Sequence, residues 1–202
     1  MYKINDFFTF GCGLFRIFFI HNDKYYIQQC LSTLIFQVDD DFLNNNCKKV
    51  EMEYDADDYD LFPYIRYVMT DKKITPYRED SHRIVNLYQI MDIHTGALGG
   101  WIENYSNLEQ SETAWIEDDG YVYGSSRVEN STVSFSTIVD STIKNMIIDD
   151  CTVINSELVN DKYSSPLSVK GVEITESGIS GAFVYNNKLF GAIDGLTLRA
   201  KK

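Results

Sequence analysis

The sequence predicts a mostly β protein in which a parallel β-solenoid follows a small N-terminal domain. The main observation is a run of single apolar residues spaced first by six and then by five positions. These residues are Ile116, Val122, Val128, Val133, Ile138, Ile143, Ile148, Val153 and Leu158. Neither spacing fits the 3.6-residue period of a helix or the alternation of an ordinary strand. Nearly all are β-branched, which favours extended backbone, and one inward residue per short strand is typical of a solenoid.

The residues beside each apolar centre support this interpretation. Two positions before the successive centres from Val133 to Leu158, the chain has Ser131, Ser136, Ser141, Met146, Cys151 and Ser156. Small side chains fit the narrow interior of a coil, and serine or threonine hydroxyls bond nearby backbone at turns. A low-complexity Ser/Thr tract is the alternative, but six successive apolar centres in register argue against it.

The length of 202 residues allows one or two domains, and composition changes along the chain. We expect an aromatic-rich, acidic α+β or mostly β domain at residues 1–75, the solenoid at residues 76–160, and its continuation or cap at residues 161–202. The four cysteines are widely spaced and form no C-x-x-C pair. That pattern predicts reduced thiols in a cytoplasmic protein, with no metal and no cofactor.

The formal net charge of −12 argues against direct binding to nucleic acid or to an anionic membrane, and favours a basic partner protein. Solubility alone is the simpler explanation of the charge. The acidic residues are uneven along the chain. Residues 114–161 hold nine Asp or Glu against two Lys or Arg, whereas residues 162–202 hold three against six. The solenoid body is therefore acidic.

The N-terminal residues read as strands. Residues 14–20 and 25–29 are strand-like and flank a hairpin turn at His21 to Lys24, and residues 31–38 are a third candidate. The stretches 39–41 and 44–46 mark a loop or the start of a helix. The apolar N-terminal run contains Arg16 and is too short to span a bilayer, so we interpret it as buried strands.

An acidic run follows, with two interpretations. It consists of Glu51, Glu53, Asp55, Asp57, Asp58 and Asp60. It is either a solvated loop or a patch presented to a basic groove, since carboxylates and phosphates attract the same Lys and Arg side chains. A calcium loop upstream, at residues 39–45, is rejected because Leu43 occupies a ligand position and no glycine forms the turn.

The segment before the repeats contains Ile84, Leu87 and Ile90, which fit a strand or a short helix, followed by a glycine-rich stretch at residues 96–100. The glycine spacing is not G-x-G-x-x-G, so a phosphate loop is rejected. Trp101 and Trp115 are expected to be core or coil-capping residues, with ligand stacking as the alternative.

After Leu158 the pattern pauses and then resumes in a shifted register. The resumed apolar positions are Val169, Ile174, Ile179, Val184 and Leu189. Residues 185–189 equally suggest a hairpin that closes the solenoid, and closure protects an open sheet edge from aggregation.

Residues 82–126 resemble the opening of bacterial and phage hexapeptide-type β-solenoid proteins. The matching motifs are Arg83-Ile84, the G-x-L-G-G-W-I-E run from Gly96 to Glu103, Asn107-Leu108, Ala114-Trp115-Ile116 and Val122-Tyr123-Gly124. The resemblance implies a left-handed parallel β-helix and carriage by phages or mobile elements, in a family whose members mostly lack an assigned activity. The later five-residue repeats resemble pentapeptide-repeat proteins, some of which are DNA mimics. Triangular and square coils both remain open.

Three function classes follow. The first is a non-enzymatic inhibitor of a host nucleic-acid-binding defence complex, of the anti-CRISPR or anti-restriction type, acting in the host cytoplasm, with a dimer or trimer as a possible assembly. Its binding residues would be the acidic run named above together with Glu117, Asp118, Asp119, Asp149 and Asp150. The second is a hexapeptide-repeat acyltransferase, for which His94 is the one candidate base near the solenoid. The third is a structural phage or surface component.

Overall fold

The computed structural model describes residues 2–52, 61–76 and 84–160, and five further strands between residues 167 and 200, in which side chains are described at residues 168–170 and 174. The chain divides into two units, residues 1–68 and residues 69–202. In these described ranges, no helix is both long enough and apolar enough to cross a membrane.

The first unit is an antiparallel sheet with one short helix. Its elements are β1 (Phe7–Phe10), β2 (Gly13–His21), β3 (Lys24–Gln29), β4 (Ile35–Val38), α1 (Asp40–Asn46) and β5 (Lys48–Val50). The strand order across the sheet is β4-β3-β2-β1-β5. Inward aromatic and aliphatic side chains from β1, β2 and β3 pack with Leu43 of α1 to form the core of this unit.

The turn between β2 and β3 confirms the predicted hairpin. Asn22 and Asp23 both have positive φ, at 49° and 58°, which is the conformation of a tight two-residue hairpin turn. The third predicted strand, at residues 31–38, corresponds to β4. It begins at Ile35 and not at residue 31, because Leu31 has a φ of 57° and turns the chain. The helix begins where the Asp39 carboxylate accepts a hydrogen bond from the Phe42 N–H at 2.9 Å.

Arg16, which interrupts the apolar N-terminal run, has partners inside the first unit. Its Nη2 donates to Gln28 Oε1 at 3.0 Å, and its guanidinium carbon lies 4.7 Å from the centre of the Phe62 ring. The amide of Gln28, which is fully buried, donates in turn to the Pro63 carbonyl at 2.7 Å. These contacts account for a charged residue within a mostly apolar strand.

The second unit begins with antiparallel strands and then becomes parallel. Its first strands are β6 (Tyr67–Ile74), which starts at the unit boundary, β7 (Leu87–Asp92) and β8 (Leu98–Ile102). Strands β7 and β8 pair antiparallel, but Trp101 and Ile102 of β8 pair in parallel with Tyr121 and Val122. Strand β8 is therefore the first strand of the solenoid.

The solenoid winds through short strands in about three turns. They are β9 (Trp115–Ile116), β10 (Tyr121–Tyr123), β11 (Arg127–Glu129), β12 (Thr132–Ser134), β13 (Thr137–Val139), β14 (Thr142–Lys144), β15 (Met146–Asp149), β16 (Thr152–Ile154) and β17 (Glu157–Val159). They stack in parallel on three faces. We call β10, β13 and β16 the first face, β11, β14 and β17 the second face, and β9, β12 and β15 the third face.

The coil therefore has three sides, which resolves the choice between a triangular and a square cross-section. The predicted apolar centres are the inward residues of these strands. On the first face, Val122 pairs with Ile138 and Ile138 with Val153, and all three are fully buried. From Val128 to Leu158 three five-residue sides make a 15-residue coil, so equivalent residues stack directly on one another. The predicted parallel β-solenoid is confirmed.

The small residues at the corners join consecutive coils. The Ser141 hydroxyl donates to the Val139 carbonyl at 2.7 Å and accepts from the Ser156 N–H at 3.0 Å. The Ser141 N–H itself donates to the Ser126 hydroxyl at 3.2 Å. Ser131 and Ser136 make the same two bonds at the other corners. Each serine thereby satisfies backbone groups of two coils.

The C-terminal strands continue the solenoid and then close it. They are β18 (Leu167–Lys170), β19 (Val172–Thr175), β20 (Gly178–Tyr185), β21 (Lys188–Asp194) and β22 (Thr197–Ala200). Val169, Ile174 and Ile179 pair in parallel with the previous coil, as the shifted repeat predicts. Val184 and Leu189 instead pair with each other across the antiparallel hairpin of β20 and β21.

Removing one corner hydroxyl should destabilise the solenoid. We expect Ser141→Ala to lower the free energy of unfolding by about 1–3 kcal/mol, because the Val139 carbonyl and the Ser156 N–H lose their partner in a buried corner. The measurement is urea unfolding followed by circular dichroism. Ser168→Ala, at an exposed position of β18, is the matched control and should change the unfolding free energy little. Equal losses in the two variants would contradict the corner role.

The first unit should show a pH-dependent ion pair. Asp6 Oδ1 lies 2.7 Å from Lys49 Nζ, and Oδ2 accepts from the Lys3 N–H at 2.9 Å. Burial alone would raise the pKa of Asp6, but these bonds more than offset it, so the pKa lies below its ordinary value. Such a carboxylate stabilises the fold above its unfolded-state pKa, and the contribution disappears as the pH falls through the folded-state pKa.

We therefore expect Asp6→Asn to destabilise the first unit by about 1 kcal/mol or less at neutral pH, and to have a smaller effect at about pH 3. Urea unfolding followed by the NMR signals of β1 and β2 measures both values. Asp23→Asn is the control, because asparagine also suits a positive φ. A destabilisation by Asp6→Asn that stays constant with pH would argue against the ion pair.

Candidate functional site

The motif residues of the resemblance form a polar cap at the start of the solenoid. Asn107 is fully buried, and its Oδ1 accepts from the Glu103 and Asn104 N–H groups at 3.1 and 3.0 Å. Its Nδ2 donates to the carbonyls of Gly124 and Ser126 at 3.1 and 2.9 Å. One side chain thus holds the first coil to the second, and its function is structural.

Two glycines of the same motifs are required by close packing. A Cβ on Gly100 would collide with the carbonyl oxygens of Glu117 and Gly120. Gly124 has a φ of 70°, and a Cβ there would collide with the carboxylate of Asp140. The Gly124 N–H donates to Glu103 Oε2 at 2.9 Å. Gly100 and Gly124 therefore allow the backbone of neighbouring coils to approach closely.

The acidic residues predicted on the solenoid lie along one corner. We call the turn that follows each third-face strand the third corner: residues 117–120 in one coil, residues 135–136 in the next and residues 150–151 in the one after. The Glu117 N–H donates to the Val133 carbonyl at 2.8 Å, and the Asp150 N–H donates to the Ser134 carbonyl at 3.2 Å. Glu117, Asp118, Asp119 and Asp150 are all exposed. Strands in neighbouring coils lie about 4.8 Å apart, so these carboxylates share one edge.

Asp149, the last residue of β15 before the third corner, has a cationic partner. Its Oδ2 lies 2.6 Å from Lys170 Nζ, and its Oδ1 lies 3.4 Å from the Ser134 hydroxyl. The hydrogen bond and the charge of Asp149, with a smaller contribution from Asp150, raise the pKa of Lys170. The ion pair reduces the negative charge that Asp149 offers to a partner.

An exposed aromatic side chain lies between the acidic groups of the third corner. Phe135 is 61% exposed and has a φ of 47°. The equivalent positions, two residues after the other apolar centres from Val122 to Val153, hold Gly124, Asn130, Asp140, Asn145, Asp150 and Asn155, all with positive φ. Glycine, asparagine and aspartate tolerate this conformation, whereas a bulky aromatic is an outlier there.

The other two corners use these residues to stabilise the stack. Asn130 Nδ2 donates to Asn145 Oδ1 at 3.2 Å, and Asn145 Nδ2 donates to the Asn160 carbonyl at 2.9 Å. Asp140 Oδ1 accepts from the Ser125 N–H at 2.9 Å. A phenylalanine side chain has no group that can make such bonds. Phe135 therefore cannot make the side-chain hydrogen bonds between coils that Asn130, Asp140 and Asn145 make at the other two corners.

The second face shows what an ordinary exterior of this solenoid looks like. Glu129 forms ion pairs with Arg127 and with Lys144, the latter at 4.0 Å. The charges of the second face are therefore balanced by these ion pairs.

The third face carries exposed apolar side chains beside the acidic corner. Ile147 is 40% exposed, and Trp115, which is half-buried, lies in the same column two coils earlier. Trp101, by contrast, is buried in a cluster with Leu87 and Tyr123, as expected of a core residue.

The remaining candidates are dispersed. Glu51 is exposed after β5, and the rest of the acidic run, Glu53, Asp55, Asp57, Asp58 and Asp60, lies outside the described residues. His94 is exposed on the turn between β7 and β8, where its backbone N–H donates to Asp92 Oδ1 at 2.9 Å. In the described part of the chain, no three His, Cys, Asp or Glu side chains are grouped so that they could hold a metal ion.

The four cysteines form no disulfide bond with one another in the structure. Cys12 is exposed, Cys30 and Cys47 are half-buried, and Cys151 is buried at the third corner. Burial raises the pKa of the Cys47 thiol. Cys151 takes the place of a corner serine, and its Sγ lies 3.2 Å from the Asp149 carbonyl, so its role is structural.

Comparison with known proteins found no match, either among protein-family models or among curated proteins.

Sequence reasoning predicted the acidic residues of the third corner but not Phe135. The signal was present in the five-residue register. The position two residues after each apolar centre reads Asn, Phe, Asp, Asn, Asp and Asn from residue 130 to residue 155. One phenylalanine in a series of asparagine and aspartate is a departure that the backbone does not require.

Changing the buried amide that joins the first two coils should be costly. We expect Asn107→Asp to destabilise the solenoid by at least about 2 kcal/mol, because a carboxylate cannot donate to the Gly124 and Ser126 carbonyls. Thermal unfolding measures the loss. Asn104→Asp is the matched control, since its Oδ1 only accepts, from the Ser106 N–H at 2.9 Å, and aspartate caps equally well. Equal stability of the two variants would refute the role of Asn107 in joining the first two coils.

Proposed function

We propose that this chain is a non-enzymatic inhibitor that occupies the basic site of a host nucleic-acid-binding defence complex, of the anti-CRISPR or anti-restriction type. The observation that supports the proposal most is the third corner, where Glu117, Asp118, Asp119 and Asp150 lie exposed along one edge. The formal net charge of −12 is consistent with it.

The mechanism is competition for the same cationic groups. Lysine and arginine side chains that bind nucleic-acid phosphates also bind carboxylates, often with two parallel hydrogen bonds from arginine. The solenoid backbone holds its corner residues at the regular spacing of stacked strands, about 4.8 Å, so the carboxylates are presented by a rigid frame. A rigid acidic edge loses little conformational entropy when a basic groove closes on it.

The proposed origin follows from the resemblance. We infer that the solenoid is of the hexapeptide type with pentapeptide-like later repeats, that its coil is left-handed, and that a phage or mobile element carries it into the host cytoplasm. The supporting residues are the motif positions Gly100, Glu103, Asn107 and Gly124, which together fix the start of the coil. An acyltransferase would need its base within a cleft, whereas His94 is exposed on a hairpin turn.

The test combines salt, competing DNA and two variants of equal charge. The protein is immobilised, incubated with bacterial lysate at about 0.05 M and about 0.5 M salt, and the bound proteins are identified by mass spectrometry. The expected partner is a nucleic-acid-binding complex that is released by high salt and by added duplex DNA. Recovery of no such complex, or of one that DNA does not displace, would refute the proposal.

The corner variant is Glu117→Gln combined with Asp118→Asn and Asp119→Asn, and it should reduce capture of the partner at least about tenfold. The matched control removes three exposed carboxylates elsewhere in the second unit, by Asp71→Asn, Glu112→Gln and Glu157→Gln. Both variants change the net charge equally, so the control should bind like the unaltered protein. Equal losses would show that net charge, and not this corner, determines binding.

A further inference from the structure

Phe135 is unexplained by the stability of the fold. It occupies a corner position with a φ of 47°, where residues other than glycine, asparagine and aspartate are strained. Its ring is 61% exposed, so it contributes little to the solenoid core. The corner asparagines, by contrast, bond neighbouring coils through Asn130, Asn145 and Asn160. At this corner the chain carries a strained, exposed aromatic in place of a stabilising amide.

The neighbours of Phe135 define the chemistry that would suit its ring. The coil on one side presents the turn of Glu117, Asp118 and Asp119, and the coil on the other side presents Asp150. Neighbouring coils are separated by about 4.8 Å, so the two acidic turns lie about 10 Å apart, one on each side of the Phe135 turn. Ile147 is 40% exposed on the adjoining third face, where it pairs with Thr132.

An aromatic face flanked by carboxylates is complementary to a guanidinium group. Arginine stacks on an aromatic ring through its flat, weakly hydrated cation, and its N–H groups bind carboxylates in pairs. Lysine, a compact and strongly hydrated cation, gains less from the ring. The first unit shows the same stacking internally, with Arg16 lying 4.7 Å from the centre of the Phe62 ring.

We propose that the third corner is an arginine-binding site, in which the guanidinium group of an arginine on the partner protein stacks on Phe135 and is bound by the carboxylates of the Glu117–Asp119 turn and of Asp150. This inference rests on the proposed function, because it names the group of the basic partner that the acidic edge recognises. It adds a selectivity for arginine over lysine that charge alone does not provide.

The test uses synthetic peptides, so it does not require the partner to be known. A short polyarginine peptide and a polylysine peptide of equal length are titrated into the full chain at low salt, and binding is followed through the amide NMR signals of Asp118, Phe135 and Asp150. We expect the arginine peptide to bind about tenfold more tightly than the lysine peptide and to shift these three signals. Equal affinities for the two peptides would overturn the proposal.

Three substitutions of Phe135 test whether its aromatic ring is the group that selects arginine. Phe135→Asn installs the residue that the other corners use, so we expect unchanged or higher melting temperature together with loss of the preference for arginine. Phe135→Leu keeps an apolar side chain but removes the aromatic face, and should lose the preference as well. Phe135→Tyr keeps the face and should bind like the unaltered protein. Retention of the arginine preference in both Phe135→Asn and Phe135→Leu would overturn the proposal.

The two proposals fail in different experiments. If the corner carboxylates capture a nucleic-acid-binding complex but the peptides bind equally well, the arginine site is refuted and the proposed function stands. If the peptides are discriminated but no nucleic-acid-binding complex is recovered, the proposed function is refuted and the arginine site stands.

Discussion

The corner serines set the geometry on which the rest of the second unit depends. Each hydroxyl donates to a carbonyl of its own coil and accepts an N–H from the residue 15 positions later, as Ser141 does with Val139 and Ser156. Between Val128 and Leu158, where each coil has 15 residues, one residue more or fewer would move a buried N–H away from its acceptor, which costs more than the bond itself contributes. The 15-residue repeat is therefore enforced by backbone satisfaction as well as by the apolar interior. It also determines which outward residues stack on one another.

Most of the solenoid was predictable because its determinants are local. An apolar β-branched centre, a small residue and a residue tolerant of positive φ recur every five positions, and each acts within a few residues of its own site. The closing hairpin was harder to distinguish, because the five-residue spacing from Val184 to Leu189 suits both a further coil and an antiparallel pair. The start of β4 was missed for a similar reason. The positive φ of Leu31 depends on its bond to the Leu61 carbonyl, a contact distant in sequence.

Only part of the acidic site could be predicted from the sequence. Composition identified Glu117 and Asp150 as candidates, but their shared corner follows from the coil length, which charge does not reveal. The partner of Asp149, Lys170, comes from the coil after the pause, so its pairing depended on the shifted register. The acidic run at residues 51–60 remains a prediction, as does the handedness of the coil. Phe135 was overlooked because an isolated aromatic within a regular repeat resembles ordinary variation until its φ and exposure are known.

The outward side chains at the three corners of the coil differ in the bonds that they make to neighbouring coils. Stacked asparagines at one corner and the Asp140 carboxylate at another hold successive coils together through side-chain bonds. Ser136 and Cys151 hold the third corner from inside, as Ser131 and Ser141 hold the other two, and Phe135 has no side-chain group that could add a hydrogen bond there. A position secured from within can carry a strained, exposed side chain at a cost of about 1–3 kcal/mol without loss of the fold. Strain retained where an asparagine would relieve it is the physical reason to place recognition at Phe135 and not elsewhere on the solenoid.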